Sequence, residues 1–213
     1  MRKLFLIVRP RYDATTHYLF HWSQKVIDFA RRKDIDIIDL QGKRANKKEL
    51  TSIIVKRCPH LIFFNGHGSE DSISGQDEEV LVKVGENEDL LRNKIIYALS
   101  CETGKLLGPE SISKGTVSYL GYDEVFIFYY SNNKISKPLK DKRAELFLGP
   151  SNQIAISLLK GHATKEAHQH SKQSFLKNIQ QLLTSKSSET YLVRFLVWDM
   201  VHQVCLGDPN AQI

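Results

Sequence analysis

A histidine and a cysteine each follow a short apolar run of the sequence. The stretch LIFFNGHGSE at 61–70 places His67 between two glycines, and the stretch IIYALSCETG at 95–104 places Cys101 after a second apolar run. A thiolate attacks carbonyl carbon and an imidazole transfers protons near neutral pH, so these two residue types together can cleave an acyl bond. That chemistry requires both side chains to reach one cleft.

The surrounding chain predicts a fold that brings them together. Apolar runs that resemble strands alternate with amphipathic helical patterns, and strands that are apolar throughout are typical of a parallel sheet covered on both faces. We therefore expect an α/β fold, a three-layer α/β/α sandwich with a mostly parallel sheet. The predicted strands are 3–8, 35–40, 61–64 and 94–99, and the predicted helices between them are 16–32 and 47–57.

The rest of the chain predicts further strands and then a helical part. We expect residues 1–213 to form a single domain that becomes rich in helices from about residue 150, a length within the range of one α/β domain. In chain order we predict a small β-excursion with a short helix at 78–91, a short helix at 103–115, strands at 116–122 and 125–130, and helices at 151–161, 162–186 and 188–206.

Composition excludes several classes of protein. Hydrophobic residues make up 41% and charged residues 25%, and no apolar stretch approaches the roughly 20 residues of a membrane span. The apolar run at the amino terminus has only five residues before Arg9 and Pro10, which fits a strand better than a signal peptide. We expect a cytoplasmic protein. The three cysteines lack CxxC spacing, which argues against disulfides and a structural zinc site.

Charge and histidine content suggest two weaker alternatives. The formal charge of +6, from 30 basic and 24 acidic residues, could favour nucleic acid, but the basic segments lack interleaved aromatic residues, so we expect no nucleic-acid partner. Histidines group at helical spacing without the acidic or thiol ligands that would complete a metal site, so no metal or other cofactor is expected. These histidines are His17 with His21, and His162 with His168 and His170.

Position at the strand ends gives His67 and Cys101 their expected role. Ligands and reactive groups gather at the carboxyl edge of a parallel sheet, and neighbouring strands lie about 5 Å apart. An imidazole, or a helix beginning near Thr103, would lower the pKa of the Cys101 thiol. The amides of Gly68 and Cys101 could donate to an oxyanion. Taken singly, however, such a cysteine is more often a small buried apolar residue and such a histidine an ordinary loop residue.

The two motifs together resemble a known family. FFNGHGSE followed by ALSCETG resembles the His and Cys blocks of the clan CD cysteine peptidases, which include caspases, legumain, separase, gingipains and CHAT-type domains. The final stretch CLGDPNAQI also resembles the Gly-Asp-Pro segment that closes gingipain-like domains. The Cys block lacks the caspase Q-A-C-x-G signature, and 34 positions separate His67 from Cys101 where caspases have roughly 50. The resemblance is therefore to the gingipain and CHAT types.

The resemblance implies a cysteine endopeptidase of caspase-like and gingipain-like fold that needs no cofactor. Cys101 would attack the scissile carbonyl, His67 would protonate the leaving amine, and the Gly68 and Cys101 amides would hold the oxyanion; no third catalytic residue is identified. The loop after the first strand would line the substrate pocket. There Asp13 would suit Lys or Arg substrates, which gingipains favour, and Arg9 or Arg11 an acidic one. Asp13 could instead cap the following helix.

Other readings of the sequence remain open. A caspase-like binding or scaffold module would keep the fold without the activity, and a flavodoxin-like nucleotide binder is disfavoured because no strand ends in a phosphate-binding glycine loop. Small gingipain-like and CHAT-like peptidases often serve prokaryotic signalling or defence and are switched on by a partner protein, an analogy that suggests an activating partner beside the protein or peptide substrate. The basic segment 132–143 is either a solvated loop or a self-processing loop.

Overall fold

A six-stranded sheet is the centre of the computed structural model, which describes residues 3–185 and 187–213. The strands are β1 (Leu4–Arg9), β2 (Asp36–Gln41), β3 (Leu61–Asn65), β4 (Ser72–Ser74), β5 (Val80–Lys83), β6 (Ile95–Leu99), β7 (Ser118–Tyr122) and β8 (Gln203–Gly207). The helices are α1 (Ala14–Arg32), α2 (Lys47–Arg57), α3 (Leu107–Ser113), α4 (Lys142–Leu159), α5 (Thr164–Thr184) and α6 (Val193–Val201).

Sheet order places the two candidate strands side by side. The order is β2-β1-β3-β6-β7-β8, all pairs are parallel except β7 with β8, and β4 with β5 forms a separate antiparallel hairpin. β3 lies between β1 and β6, so the loops that follow β1, β3 and β6 meet at one edge. The three-layer sandwich with a mostly parallel sheet is confirmed.

Alternating side chains of the central strands fill two separate cores. In β3, Phe63 faces a core built with α1, α4 and α5, whereas Phe64 faces a core built with α2 and α3. The same alternation in β6 sends Tyr97 to the first core and Ala98 to the second. Because both faces are covered, neither strand has a polar side, which is the apolar pattern seen in the sequence.

Two predicted elements near the carboxyl terminus are corrected by the structure. Residues 125–130 form no strand, and they cannot pair beside β7 because β6 and β8 already occupy its two sides. Their apolar side chains pack instead against helices, a case that an apolar run alone does not distinguish from a strand. The helix predicted over 188–206 ends at Val201, and the residues after it form β8 along the outer side of β7.

The segment 123–131, named here the strap, crosses the carboxyl edge of the sheet. It leaves the end of β7 and passes beside α6 towards α1, and Ser131 at its end donates its amide to Asp141, the N-cap of α4, at 2.7 Å. The chain then contacts α1, where Trp22 Nε1 donates to the Pro138 carbonyl at 3.1 Å. The strap therefore lies over the same edge as the loops after β3 and β6.

The predicted helices are present with different boundaries. The helix predicted over 151–161 is α4, which begins nine residues earlier, at Lys142, because Asp141 caps it there. The helix predicted over 162–186 is α5, which begins two residues later, and Lys186 lies outside the described residues. The short helix predicted at 103–115 is α3, which begins only at Leu107. Within the described part of the chain, none of the helices combines the length and the apolar character that a membrane crossing needs.

Candidate active site

Register between β3 and β6 brings His67 and Cys101 to corresponding positions. Asn65 is paired with Leu99 at the ends of these parallel strands, and each candidate residue lies two positions further along its chain. The Gly66 amide donates to the Leu99 carbonyl at 3.3 Å, which continues the pairing past the strand ends. The geometric premise of the pair, two adjacent parallel strands that end at one edge, is therefore present.

Gly68 packs directly against the loop that carries the cysteine. A Cβ atom at this position would lie 2.5 Å from Thr103 Cγ2, 3.0 Å from Ser100 Cβ and 3.1 Å from the Cys101 carbonyl oxygen. Only a residue without a side chain allows the two loops this approach. Among the described residues, the Gly68 amide has no hydrogen-bond acceptor, and the Cys101 amide interacts only with its own thiol. Neither amide is tied to another residue of the described chain.

Two further contacts hold the same loops together. Lys105 Nζ lies 2.6 Å from Glu70 Oε1, and the Leu107 amide donates to the Glu70 carbonyl at 2.9 Å. The ion pair is exposed and screened by solvent, so it contributes little to stability. Its effect is to fix the spacing of the two loops at their outer ends.

The imidazole of His67 is oriented by a carboxylate. His67 Nε2 lies 2.7 Å from Asp13 Oδ2, and the ring is about one-third exposed. Asp13 is also the N-cap of α1, because its Oδ1 accepts hydrogen bonds from the Thr16 amide at 2.7 Å and the Thr16 hydroxyl at 2.6 Å. Burial disfavours ionisation of Asp13, but the hydrogen bonds from Thr16 and His67 outweigh it and lower the pKa of the carboxyl. Asp13 is therefore an ionised partner for the ring.

The sequence did not predict this contact with His67. Asp13 and His67 are 54 residues apart and share no motif. The signal that could have found it is positional, since Asp13 follows β1 and His67 follows β3, and these are parallel neighbours. Asp13 thus caps α1, as one reading of the sequence predicted, and also lies in the candidate site.

Cys101 is partly buried and its thiol contacts the strap. Sγ donates to the Phe126 carbonyl at 3.9 Å, a long and weak contact. Burial is the main reason that the pKa of the thiol is raised, and a backbone hydrogen bond from Phe126 to the sulfur opposes this only in part. In the described structure the thiol and the His67 ring make no hydrogen bond with each other. The resting state therefore holds a neutral thiol.

The predicted helix N-terminus beside Cys101 is wrong. Residues 101–106 form turns, Glu102 adopts a positive φ of 59°, and α3 begins six residues after the cysteine at Leu107. Gly104 donates its amide to the Tyr122 carbonyl, which keeps these turns on the sheet edge and delays the helix. Cys101 consequently has no helix dipole to lower its pKa.

The two arginines of the loop after β1 differ in availability. Arg9 is 2% exposed, and its guanidinium donates to Asp39 at 3.0 and 2.5 Å, to the Phe20 carbonyl at 3.0 Å and to Gln24 at 3.2 Å. Its predicted role in substrate binding is therefore wrong, because the group is buried and is held by Asp39, Phe20 and Gln24. Arg11 is exposed and stacks over the Phe20 ring with its Cζ 5.1 Å from the ring centroid.

A cavity of about 450 Å³ adjoins the Asp13 carboxylate. It is lined by Arg11, Tyr12, Asp13, Ala14, His17 and Ile135, so the loop after β1 does form a concave wall near His67. A larger cavity, of about 770 Å³, lies away from this edge between the basic segment and Glu189, and includes neither His67 nor Cys101. No cluster of three or more His, Cys, Asp or Glu side chains suited to a metal ion occurs in residues 3–185 or 187–213.

Two solved gingipain structures have a fold similar to that of this chain. The complex of the pro- and mature domains of Porphyromonas gingivalis RgpB matches with a TM-score of 0.63 and 12% identity, over 99% of this chain and 48% of that one. The Arg-specific cysteine proteinase gingipain R (RgpB) matches with a TM-score of 0.63 and 11% identity, over 99% of this chain and 47% of that one. The chain has the gingipain fold.

The likeness extends no further than the fold. At 11 to 12% identity it carries no information on activity, and the chain spans about half the length of the gingipain structures that it matches. No protein-family model matches the sequence, and no curated protein does. The fold is nevertheless the gingipain-like one that the His and Cys blocks led us to expect.

Proposed function

We propose that this chain is a cysteine endopeptidase in which Cys101 is the nucleophile and His67 the proton donor to the leaving group. The observation that carries the proposal is the register of β3 and β6, which brings both residues to the same edge at corresponding positions. The contact between His67 and Asp13 at 2.7 Å supports it further, because an oriented imidazole is what such a reaction requires.

The residues divide the reaction between them. Cys101 transfers its proton to His67 and its sulfur attacks the scissile carbonyl carbon, while the amides of Gly68 and Cys101 donate to the developing oxyanion. The carbon–nitrogen bond then breaks, the amine leaves with a proton from His67, and a thioester remains on Cys101. Water, deprotonated by His67, hydrolyses the thioester and releases the acid. Asp13 holds the ring in one orientation through both proton transfers.

Substrate preference is a prediction of the same proposal. We expect cleavage after Lys or Arg, supported by the Arg specificity in the name of gingipain R. Asp13 is a poor candidate for the pocket carboxylate, because its two oxygens already bind Thr16 and His67. Arg11 remains exposed beside the cavity next to Asp13 and would favour an acidic residue at some subsite.

Activation by a protein is part of the proposal, since the RgpB complex contains a pro-domain together with the mature domain.

The second candidate function is a caspase-like binding module without activity. One observation favours it: the thiol contacts Phe126 and not His67, and burial raises its pKa.

A peptide library combined with thiol labelling separates the two functions. The library, with varied residues at each position, is incubated with wild type, Cys101→Ala and His67→Ala, and the proposal predicts cleavage by wild type alone. Labelling with iodoacetamide uses a Cys58→Ser background, because Cys58 is exposed and would also react. The absence of both cleavage and Cys101 labelling, with a candidate activator added as well as without it, would refute the peptidase and favour the binding module.

A further inference from the structure

Asp199 on α6 is a buried carboxyl group that the proposed reaction does not use. The residue is 0% exposed, and its Oδ1 accepts a hydrogen bond from the Ile127 amide of the strap at 2.9 Å. Its Oδ2 is also buried and has no hydrogen-bond partner in the described part of the chain. A buried, half-paired carboxyl group costs free energy, so its place beside the site calls for a reason.

Three hydrogen bonds join the strap to α6 and to His202, the residue that follows it. Trp198 Nε1 donates to the Val125 carbonyl at 2.9 Å, Asp199 accepts from the Ile127 amide, and the His202 carbonyl accepts from the Asp123 amide at 3.0 Å. His202 Nδ1 also lies 2.9 Å from Asp123 Oδ1. The first three contacts bind backbone groups of the strap, so they fix its path independently of its side chains.

The hydrogen bonds between α6 and the strap determine which backbone group of the strap faces the thiol. The Val125 carbonyl and the Ile127 amide point towards α6, whereas the Phe126 carbonyl between them points towards Cys101. This alternation is that of an extended chain, in which successive peptide groups face opposite sides. Holding Val125 and Ile127 against α6 therefore holds Phe126 against the thiol.

Asp199 is suited to this task as a neutral acceptor. Burial raises the pKa of its carboxyl well above the ordinary value, which favours the uncharged form. A negative charge here would oppose ionisation of Cys101, which lies within range of its field, as do the buried hydroxyls of Tyr97 and Tyr122. An uncharged acid can accept from the Ile127 amide and impose no such penalty.

We propose that Asp199 is a positioning residue for the Cys101 thiol, acting by fixing the strap through the Ile127 amide. This inference rests on the proposed peptidase function, in which Cys101 is the nucleophile. Asp199 touches neither substrate nor sulfur. It sets how deeply the sulfur is buried and where it lies when a peptide arrives.

Three substitutions of Asp199 separate the acceptor oxygen from charge and from volume. Asp199→Asn keeps an oxygen acceptor for the Ile127 amide, Asp199→Leu keeps the volume but removes the acceptor, and Asp199→Ala removes both. Asn178→Ala is the control for general loosening, because it deletes a hydrogen bond from α5 to the Leu146 carbonyl of α4 at 2.8 Å and leaves the hydrogen bonds of the strap in place. All are made in the Cys58→Ser background, and melting temperatures are recorded.

Two readouts are measured on the full chain, iodoacetamide labelling of Cys101 by peptide mapping and turnover of the best library peptide. We expect Leu and Ala at position 199 to speed Cys101 labelling about fivefold, because the strap no longer covers the thiol. We expect kcat to fall about tenfold while KM changes less, because the substitution displaces the nucleophile but leaves peptide binding intact. Asp199→Asn and Asn178→Ala should stay within about twofold of the parent in both readouts.

The outcomes distinguish this inference from the function on which it rests. Labelling and kcat of Asp199→Leu equal to those of the parent would overturn the positioning role while leaving the peptidase intact. An Asp199→Asn variant as impaired as Asp199→Leu would overturn it too, because the charge or the proton would then matter and not the acceptor oxygen. A parent that cleaves nothing counts against the peptidase, and the labelling arm still decides whether Asp199 controls the thiol.

Discussion

Asp13 joins the start of helix α1 to the His67 ring, accepting hydrogen bonds from the Thr16 amide with one carboxylate oxygen and from the His67 imidazole with the other. A helix cap and a ring contact are thus made by one side chain. The cap fixes the carboxylate, and the carboxylate fixes the imidazole. The position of α1 on the sheet is consequently transmitted to the candidate proton donor.

Replacing Asp13 should separate the cap from the ring contact. Asn caps helices as well as Asp, so Asp13→Asn should fold with near-normal stability but lose about 10²-fold in kcat, the size of a typical acid-base contribution. Asp13→Ala should lose the same activity and also about 1 kcal/mol of unfolding free energy. Peptide turnover and thermal unfolding measure the two effects.

Asn46→Ala is the matched control for the cap. Asn46 caps α2 by accepting from the Glu49 amide at 2.9 Å and makes no contact with His67. It should cost similar stability and no activity. If Asp13→Asn retained full turnover, the orienting role of the carboxylate would be refuted.

Gly68→Ala should disrupt the contact between the two loops. The new methyl group would meet Thr103, Ser100 and the Cys101 carbonyl at 3.1 Å or less, so the loops must separate. Overpacking of this kind costs about 1–3 kcal/mol of stability, and we expect turnover to fall more than stability alone explains. The control is Gly149→Ala in α4, where an added Cβ meets nothing within 4 Å and helix propensity predicts a gain of up to about 1 kcal/mol.

Arg9 and Arg11 should respond in opposite ways to alanine substitution. Arg9→Ala leaves Asp39 without its buried partner and should lower the unfolding free energy by about 3–5 kcal/mol. Arg11→Ala should leave stability within about 0.5 kcal/mol, since the side chain is exposed, but should change the preference for acidic residues in the peptide library. A stable Arg9→Ala protein with altered substrate preference would contradict the structural role assigned to Arg9.

Acid should weaken the anchor at Asp141. This buried carboxylate accepts from the Tyr18 hydroxyl at 2.8 Å and from the Ser131 and Arg143 amides at 2.7 and 3.0 Å. Burial alone would raise its pKa, but these hydrogen bonds outweigh burial and lower the pKa of the carboxyl. Because the folded pKa lies below the unfolded value of about 3.9, its contribution is fully present above that value and is lost as pH falls through the folded pKa.

Asp141→Asn tests this contribution. Denaturant unfolding of wild type and Asp141→Asn should differ by about 2–4 kcal/mol at pH 7, and the difference should shrink as the pH falls below about 4. Asp28→Asn, at a half-exposed position on α1, should match wild type at each pH. A difference between wild type and Asp141→Asn that is the same at both ends of the range would show that the charge of Asp141 is not what matters.

The sequence predicted the sheet well because burial on both faces leaves a local trace. Runs such as 61–64 and 94–99 are apolar throughout, so they locate β3 and β6, and the motifs that follow them locate His67 and Cys101. The helix patterns of α1 and α2 were likewise visible, since one face of each is buried. These features depend on residues close together in the chain.

Features that depend on distant contacts left no such trace. The strap has the composition of a strand, but the far side of β7 is occupied by β8, which comes from 80 residues further along the chain. The late start of α3 depends on the hydrogen bond between Gly104 and Tyr122, and the burial of Arg9 depends on Asp39 thirty residues away. Asp199 carried no signal, because a single Asp in a helix is most often exposed.

The β4–β5 hairpin shows why the count of residues between His67 and Cys101 is a poor guide to ancestry. The hairpin forms its own two-stranded sheet within that interval, and β3 and β6 pair with each other whatever lies between them. β4 is tied to the His67 loop, because the Ser74 amide donates to the His67 carbonyl at 3.0 Å. Residues added after β5 would alter the count and leave both side chains in place. One residue inserted within β3 or β6 would turn the His67 or Cys101 side chain to the opposite face of the sheet. Changes in length are therefore tolerated after the hairpin but not within these strands.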